Sequence, residues 1–468
     1  MALLVAAPAA SATKYVPSQY PTLAAAYAAA QPGETIELAA GQHPDQDVPG
    51  GSKPVTFHGA PGAKVRTLEN SASNVTFDGI EVDAGMATTP VFQNHGADNV
   101  TFKNAAIGNV TNEKGALVSG TGFTFDNVVF HDAVSGANGV HMECVYALSV
   151  ERFTVRNSTF RDCAVMDLFF TYGDWWSPLP PAYGHITIEN NVFVHPEENH
   201  NSGWHYYGLY VGNNGPNGHR VMDGWVVRNN TFETAVELPD SATGGSRWVG
   251  NIGSWDCTSG LTFRYNVGKK CAATDKAVSP AASTGSSTSG VGWVNPAAGD
   301  FRLKPGSPAI DAADPNDAPA LDRNGFKRDA RPDAGAHEFG AGPPTAAGGG
   351  QPGSGQQGGP AGAAQGPLRS ARLSRRTICR RAKQGCPASV KLRVRVQEPG
   401  TVNVRIDRLR RGNKARTVRA FRMKVAQRKT VRIRARRLPA GRYRVVVRTR
   451  NTAGAVTSKR VLRLRVRR

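Results

Sequence analysis

The sequence predicts an all-β protein, a stack of parallel coils followed by a smaller antiparallel β domain, and three observations carry that prediction. One short unit recurs as NVTFDGIEV (74–82), NVTFKNAAI (99–107), GFTFDNVVF (122–130), TVRNSTF (154–160), HITIENNVF (185–193) and WVVRNNTF (225–232). A chain that repeats one unit in this way stacks its copies. Aligned, the repeats form a column of Gly79, Asn104, Asn127, Asn157, Asn190 and Asn229, followed three residues on by Val82, Ile107, Phe130, Phe160, Phe193 and Phe232. Asparagine suits a turn, because its amide satisfies nearby backbone groups and its backbone tolerates the left-handed region. The residue before that column alternates in sign, Asp78, Lys103, Asp126, Arg156, Glu189, Arg228, so each charge meets opposite charges in the coils on either side.

The intervals between the asparagines are 23, 30, 33 and 39 residues, as expected for coils whose loops lengthen toward the C-terminal side. With its asparagine ladder and stacked apolar column, the region 14–340 resembles the right-handed parallel β-helix of the pectate lyase and pectin lyase superfamily. The resemblance implies the fold and leaves the reaction open. The expected fold class is therefore all-β, a right-handed parallel β-helix plus a small C-terminal antiparallel β-sandwich.

In chain order, residues 1–12 (MALLVAAPAASA) have an apolar core and an Ala-x-Ala-like end and read as the remnant of a secretory signal without its basic start. Residues 20–40 predict a short Ala-rich helix ended by Pro32-Gly33, placed to cover the open end of the coils. Coils follow to about Val294, giving a β-helix domain over 14–294. The segment 295–340, with its string DAGAHEFG, resembles the cap and exit of exported parallel β-helix proteins. Its Asp322, Asp333 and Glu338 are expected to bond local turns rather than calcium. Residues 341–368 are a Gly/Pro/Gln-rich linker, too poor in apolar residues to fold. From 369 to 468 the pattern alternates with period two, as in VKLRVRV (390–396), TVRIRA (430–435) and VLRLRV (461–466), which predicts a β-sandwich. Its stretch 438–458 resembles immunoglobulin-like or fibronectin-like modules.

Charge divides the chain the same way. From Arg369 onward there are 35 Lys and Arg against Glu398 and Asp407, whereas the remainder holds 22 basic and 34 acidic residues. An arginine-coated sandwich is expected to bind an anionic cell-envelope polymer or acidic polysaccharide. No aromatic platform or helix-turn-helix accompanies the charge, so no specific nucleic-acid recognition is expected. No run of eighteen apolar residues occurs, so no transmembrane span is expected. Six cysteines fit a secreted or cell-surface protein, expected to be a monomer. Cys257 with Cys271 and Cys379 with Cys386 are predicted as local disulfides. Cys144 and Cys163 are predicted to lie too far apart along the strand direction to bridge. No Cys-x-x-Cys pair suggests zinc.

The chemistry is expected on a second strand of each coil, aligned as HMECV (141–145), VMDLF (165–169), YYGLY (206–210) and AVELP (235–239). Alternation then points Met142 and Cys144, Met166 and Leu168, Tyr207 and Leu209, Val236 and Leu238 inward, and His141, Glu143, Asp167 and Glu237 outward. With coils about 4.8 Å apart, Glu143 and Asp167 become neighbours. Such carboxylates either share a proton or hold a cation. A protonated acid beside an ionised one serves glycoside hydrolysis, with Glu237 assisting and His141 as base or orienting partner. A Ca²⁺ bound by Glu143 and Asp167 is what the resemblance to uronate-binding lyases implies. Tyr172, Trp175, Trp176, Trp204, His205, Tyr206 and Tyr210 supply the aromatic faces that a sugar-binding cleft needs. The Arg or Lys base that such lyases use is not evident in this cluster. Two functions follow: a secreted enzyme that cleaves polysaccharide, as lyase or glycoside hydrolase, or a non-catalytic glycan-binding surface protein anchored by its basic module.

Overall fold

A computed structural model of the protein describes residues 13–134, 142–171, 184–194, 207–212, 221–278, 289–296 and 299–341, and in the C-terminal part 368–373, 377–380, 386–396, 400–409, 415–425, 428–434, 438–450 and 456–467. The signal-like segment 1–12 and almost all of the linker lie outside these residues. The chain divides into two compact units, 1–349 and 350–468.

Among the described residues of the first unit, the main sheet winds through three parallel ladders between Thr13 and Ala277, each strand pairing with its equivalent in the next coil, and Val221–Asp223 pairs in parallel with Ser241–Thr243 as a separate short sheet. This is a parallel β-helix. Ladder A holds the repeated units, running from Thr13–Val16 to Thr262–Arg264. Ladder B runs from Gly41–His43 to Lys276–Ala277. Ladder C runs from Gln46–Gly51 through Glu143–Glu151, Met166–Thr171 and Tyr207–Val211 to Ile252–Trp255.

The asparagine column turns the chain from ladder A to ladder B. Asn104, Asn127, Asn157, Asn190 and Asn229 all have φ between 52° and 57°, and Gly79 has φ 75°. The amide of Asn127 donates to that of Asn104 at 3.0 Å, which in turn donates to Asp78 at 2.8 Å. The charge column pairs as expected: Lys103 with Asp78 at 3.3 Å, Arg156 with Asp126 at 2.9 Å, Arg228 with Glu189 at 2.8 Å. Inside, Phe130, Phe160, Phe193 and Phe232 stack at centroid spacings of 4.7, 4.6 and 4.5 Å. Each ring buries its faces against the next coil, and such pairs contribute about 0.5–1.5 kcal/mol beyond area burial.

A second asparagine column lies one residue further on and is fully buried. Asn191, Asn230, Asn251 and Asn266 are all 0% exposed. Each amide accepts from the backbone of the preceding coil and donates to a carbonyl, as Asn230 does to Ile188 at 2.8 Å. Paired this way, the side chains satisfy backbone groups that the corner leaves without ladder partners.

The helix spans Leu23–Ala29, capped by Thr22, and buries Leu23, Ala26 and Tyr27. Lys53 closes its C-terminus, donating to the carbonyls of Tyr27 at 2.6 Å and Ala30 at 2.9 Å, where the helix dipole favours a cation. A first strand, Thr13–Val16, precedes this helix and already pairs in ladder A. After the last coil, Trp293–Asn295 and Asp300–Leu303 form an antiparallel hairpin. The chain then returns along the coils. Asp317 accepts from Arg228, Arg247 and Arg264 in three successive coils, and Arg323 reaches Thr159. Asn190 and Asn229 donate to the carbonyls of Leu321 and Asp333. Asp322 accepts from the backbone of Asn324 and Phe326 in its own turn.

The C-terminal unit packs a three-stranded antiparallel sheet, Leu368–Leu373, Ser389–Val396 and Arg428–Arg434, with a five-stranded sheet around one core that includes Leu392, Ile433, Val404 and Val445. Buried Tyr443 donates its hydroxyl to the Pro439 carbonyl, tying the strand Gly441–Arg450 to the turn before it.

Candidate functional site

Ladder C corrects the predicted register of the acids. Val145, Leu168, Leu209 and Val236 align across four coils and face the core. Glu143 therefore stands opposite Met166 and Asp167 stands at the position of Cys144 and Gly208; Glu143 and Asp167 are not register neighbours. Both acids are 0% exposed, so neither faces outward as expected. The cause is the corner that leads into ladder C. There two consecutive residues turn inward, Cys144 with Val145 and Asp167 with Leu168, all buried, and strict alternation begins only after them. The inward aim of this column is visible at Gly208, where a Cβ would lie 3.3 Å from Phe193 and Phe232 and 2.8 Å from Thr234 Oγ1. Met142, Met166 and Tyr207, predicted inward, instead join a small separate cluster with Ala164, Val165, Phe169 and Tyr210.

The same corner overturns the expectation for the third cysteine pair. Cys144 and Cys163 form a disulfide with Cα atoms 5.5 Å apart. Ala164 donates to Ala133 at 2.8 Å, and Val165 and Met166 both donate to Met142 at 3.2 Å. These bonds seat the corner 163–166 directly beside the start of the preceding strand. The predicted pairs Cys257–Cys271 and Cys379–Cys386 are also disulfides.

What does face outward is a row of rings. In the register of ladder C the outward column reads Leu117, Tyr146, Phe169, Tyr210 and Glu237. Tyr146 and Phe169 meet edge to face at 5.0 Å, Phe169 and Tyr210 at 5.4 Å, and Tyr207 flanks Tyr210 at 5.2 Å. All four rings are half-buried, and Glu237 is half-exposed at the end of the row. At the other end Lys114 lies 5.5 Å from the Tyr146 ring centre and 3.2 Å from Glu113. Burial, and then the Glu143 carboxylate, push the Tyr146 hydroxyl up to about 12, so it stays protonated as a donor. Of the predicted sugar-binding residues, Tyr210 is in this row. Phe169 was expected to face outward beside Tyr210 but was not among the expected sugar-binding residues, and neither Tyr146 nor Lys114 was among them. Aligning the strands on Val145, Leu168, Leu209 and Val236 would have found the two rings.

Behind the row lies the buried Asp167. Its pKa is raised well above the ordinary value by burial first, then by Asp162 and Glu233. Its position in the register puts it across the side-chain-free Gly208 from the end of the strand Thr231–Glu237. Among the described residues no three His, Cys, Asp or Glu side chains gather as a metal site. His141, Tyr172, Trp175, Trp176, Trp204, His205 and Tyr206 lie outside the described residues.

The chain matches no protein-family model and no curated protein.

Proposed function

We propose that the first unit is a carbohydrate-binding protein whose ladder C face holds a polysaccharide along the coil axis. The observation that carries this reading is the outward row Tyr146, Phe169, Tyr210, one ring per coil, with Lys114 and Glu237 at its ends. Half-buried rings offer apolar faces to pyranose rings, while the Tyr hydroxyls and Glu237 offer polar groups to sugar hydroxyls. The row is set by backbone register, so its spacing is rigid. That rigidity limits the entropic cost of binding.

Cleavage is the second reading, favoured by Asp167, whose pKa is raised well above the ordinary value by burial and then by Asp162 and Glu233. An acid kept neutral next to other carboxyls is the state from which a proton is donated to a leaving oxygen. Asp167 is buried, so donation requires a path through the corner or an opening of it. Lys114 at the head of the row is the basic group that proton abstraction in a lyase would call on.

The test is a panel of neutral and uronic-acid polysaccharides, with and without Ca²⁺, read for binding, reducing ends and ultraviolet absorbance of unsaturated products. Y146A/F169A/Y210A is expected to weaken binding by about tenfold or more, since stacked rings are typical binding hot spots. Unchanged affinity in that variant would remove the row from the site. New absorbance lost in Lys114→Ala identifies a lyase; reducing ends without absorbance, lost in Asp167→Asn, identify a hydrolase. Binding without either product leaves a non-catalytic binder.

A further inference from the structure

We infer that the outward face of the three-stranded sheet in the C-terminal unit binds a linear anionic glycopolymer, independently of the ring row on the first unit. The three strands, Leu368–Leu373, Ser389–Val396 and Arg428–Arg434, contain nine Lys and Arg and no Asp or Glu. Alternation sorts them. Val390, Leu392, Val394 and Ile433 are in the core, and Lys391, Arg393, Arg432 and Arg434 are exposed.

Register then concentrates the charge. Lys391 lies opposite Arg432, Arg372 opposite Arg393, and Arg395 opposite Arg428. Like charges directly opposite one another destabilise a sheet, so this arrangement costs the fold stability and is relieved by a bound polyanion. The five-stranded sheet includes an acid. There Arg405 and Arg444 close on the buried Asp407 carboxylate at 3.1 and 3.0 Å, so part of the charge is neutralised within the sheet.

The chemistry of the face selects the ligand. Cations recur every second residue, about 6.7 Å apart along a strand, and guanidinium forks take oxyanions in two-point contacts. A chain with repeating carboxylate or phosphodiester groups meets both requirements. None of the three strands carries Phe, Tyr or Trp, so the face has no platform on which unpaired bases stack. That favours a glycopolymer over single-stranded nucleic acid.

The experiment uses the full chain, with poly(glycerol phosphate) and polygalacturonate as probes and calorimetric titration at several salt concentrations. K391Q/R393Q/R432Q/R434Q is compared with K269Q/K270Q/K304Q/K327Q, which removes the same charge from exposed positions of the first unit. The sheet variant is expected to lose about tenfold or more in affinity and to show a shallower salt dependence; the control is expected to change less than about twofold. Preference for polygalacturonate assigns carboxylate, and preference for poly(glycerol phosphate) assigns phosphodiester. Y146A/F169A/Y210A should leave poly(glycerol phosphate) binding intact, which separates this site from the ring row. Equal losses in the sheet variant and the control would reduce the effect to net charge and overturn the proposal. Tighter binding of oligo(dT) of equal charge would overturn it too. Removing like charges should not lower the thermal midpoint of the unit, and the pair variant K391Q/R432Q should give an intermediate loss.

Discussion

Asp167 shows how one residue's place in a coil decides its chemistry. It sits one position before Leu168, at a corner where both side chains turn inward, and burial raises its pKa well above the ordinary value. Asp333 is in a similar state, raised to about 6 mainly by burial, although the backbone N–H groups of Phe339 and Asp311 favour its ionised form. A carboxyl whose pKa is higher folded than unfolded binds its proton more tightly in the native state. Its contribution to stability is full below the unfolded value, near 4, and is lost as pH rises through the folded value. The thermal midpoint of the first unit should therefore fall between about pH 4 and pH 7. Asp167→Asn, which cannot ionise, should flatten that slope. An unchanged slope in the variant would mean that Asp167 ionises as an ordinary carboxylate.

At the scale of elements, the corners between ladders carry as much information as the strands. The ladder A to B corner was legible, because Asn104, Asn127, Asn157, Asn190 and Asn229 restate one left-handed turn in every coil. The buried column beside it was visible only as the doublets Asn190-Asn191 and Asn229-Asn230, and its continuation through Asn251 and Asn266 falls outside the repeats aligned above. The corner into ladder C was not legible, because two inward residues in a row break the period on which the alignment rests. That one-residue slip hid the Cys144–Cys163 bridge, which ties the start of one ladder C strand to the corner just before the next. C144A/C163A should lower stability by about 2–4 kcal/mol, read as a shift of the urea midpoint of the first unit. No shift would mean that the hydrogen bonds of Ala164, Val165 and Met166 hold the corner unaided.

For the whole molecule, two units of opposite charge predict two responses to salt. The first is held by alternating ion pairs and by Asp317 across three arginines. The second places Lys and Arg opposite one another with few acids. Raising ionic strength screens attraction in one and repulsion in the other. Calorimetry of the full chain should resolve two transitions, and the one from the C-terminal unit should rise as NaCl goes from about 50 to about 500 mM. A fall of that transition would indicate that its arginines are already neutralised within the fold.

By itself the sequence determined the all-β class, the coil repeat, the turn asparagines, the alternating charge column and the basic sandwich. Each of these is local and periodic, so every copy of the unit restates the evidence. Only the tertiary structure decided the burial of Glu143 and Asp167, the row Tyr146, Phe169, Tyr210, the Cys144–Cys163 bridge and the return of residues 304–340 along the coils. Those depend on how corners set one coil against the next. A single irregular residue there changes every inward and outward assignment that follows.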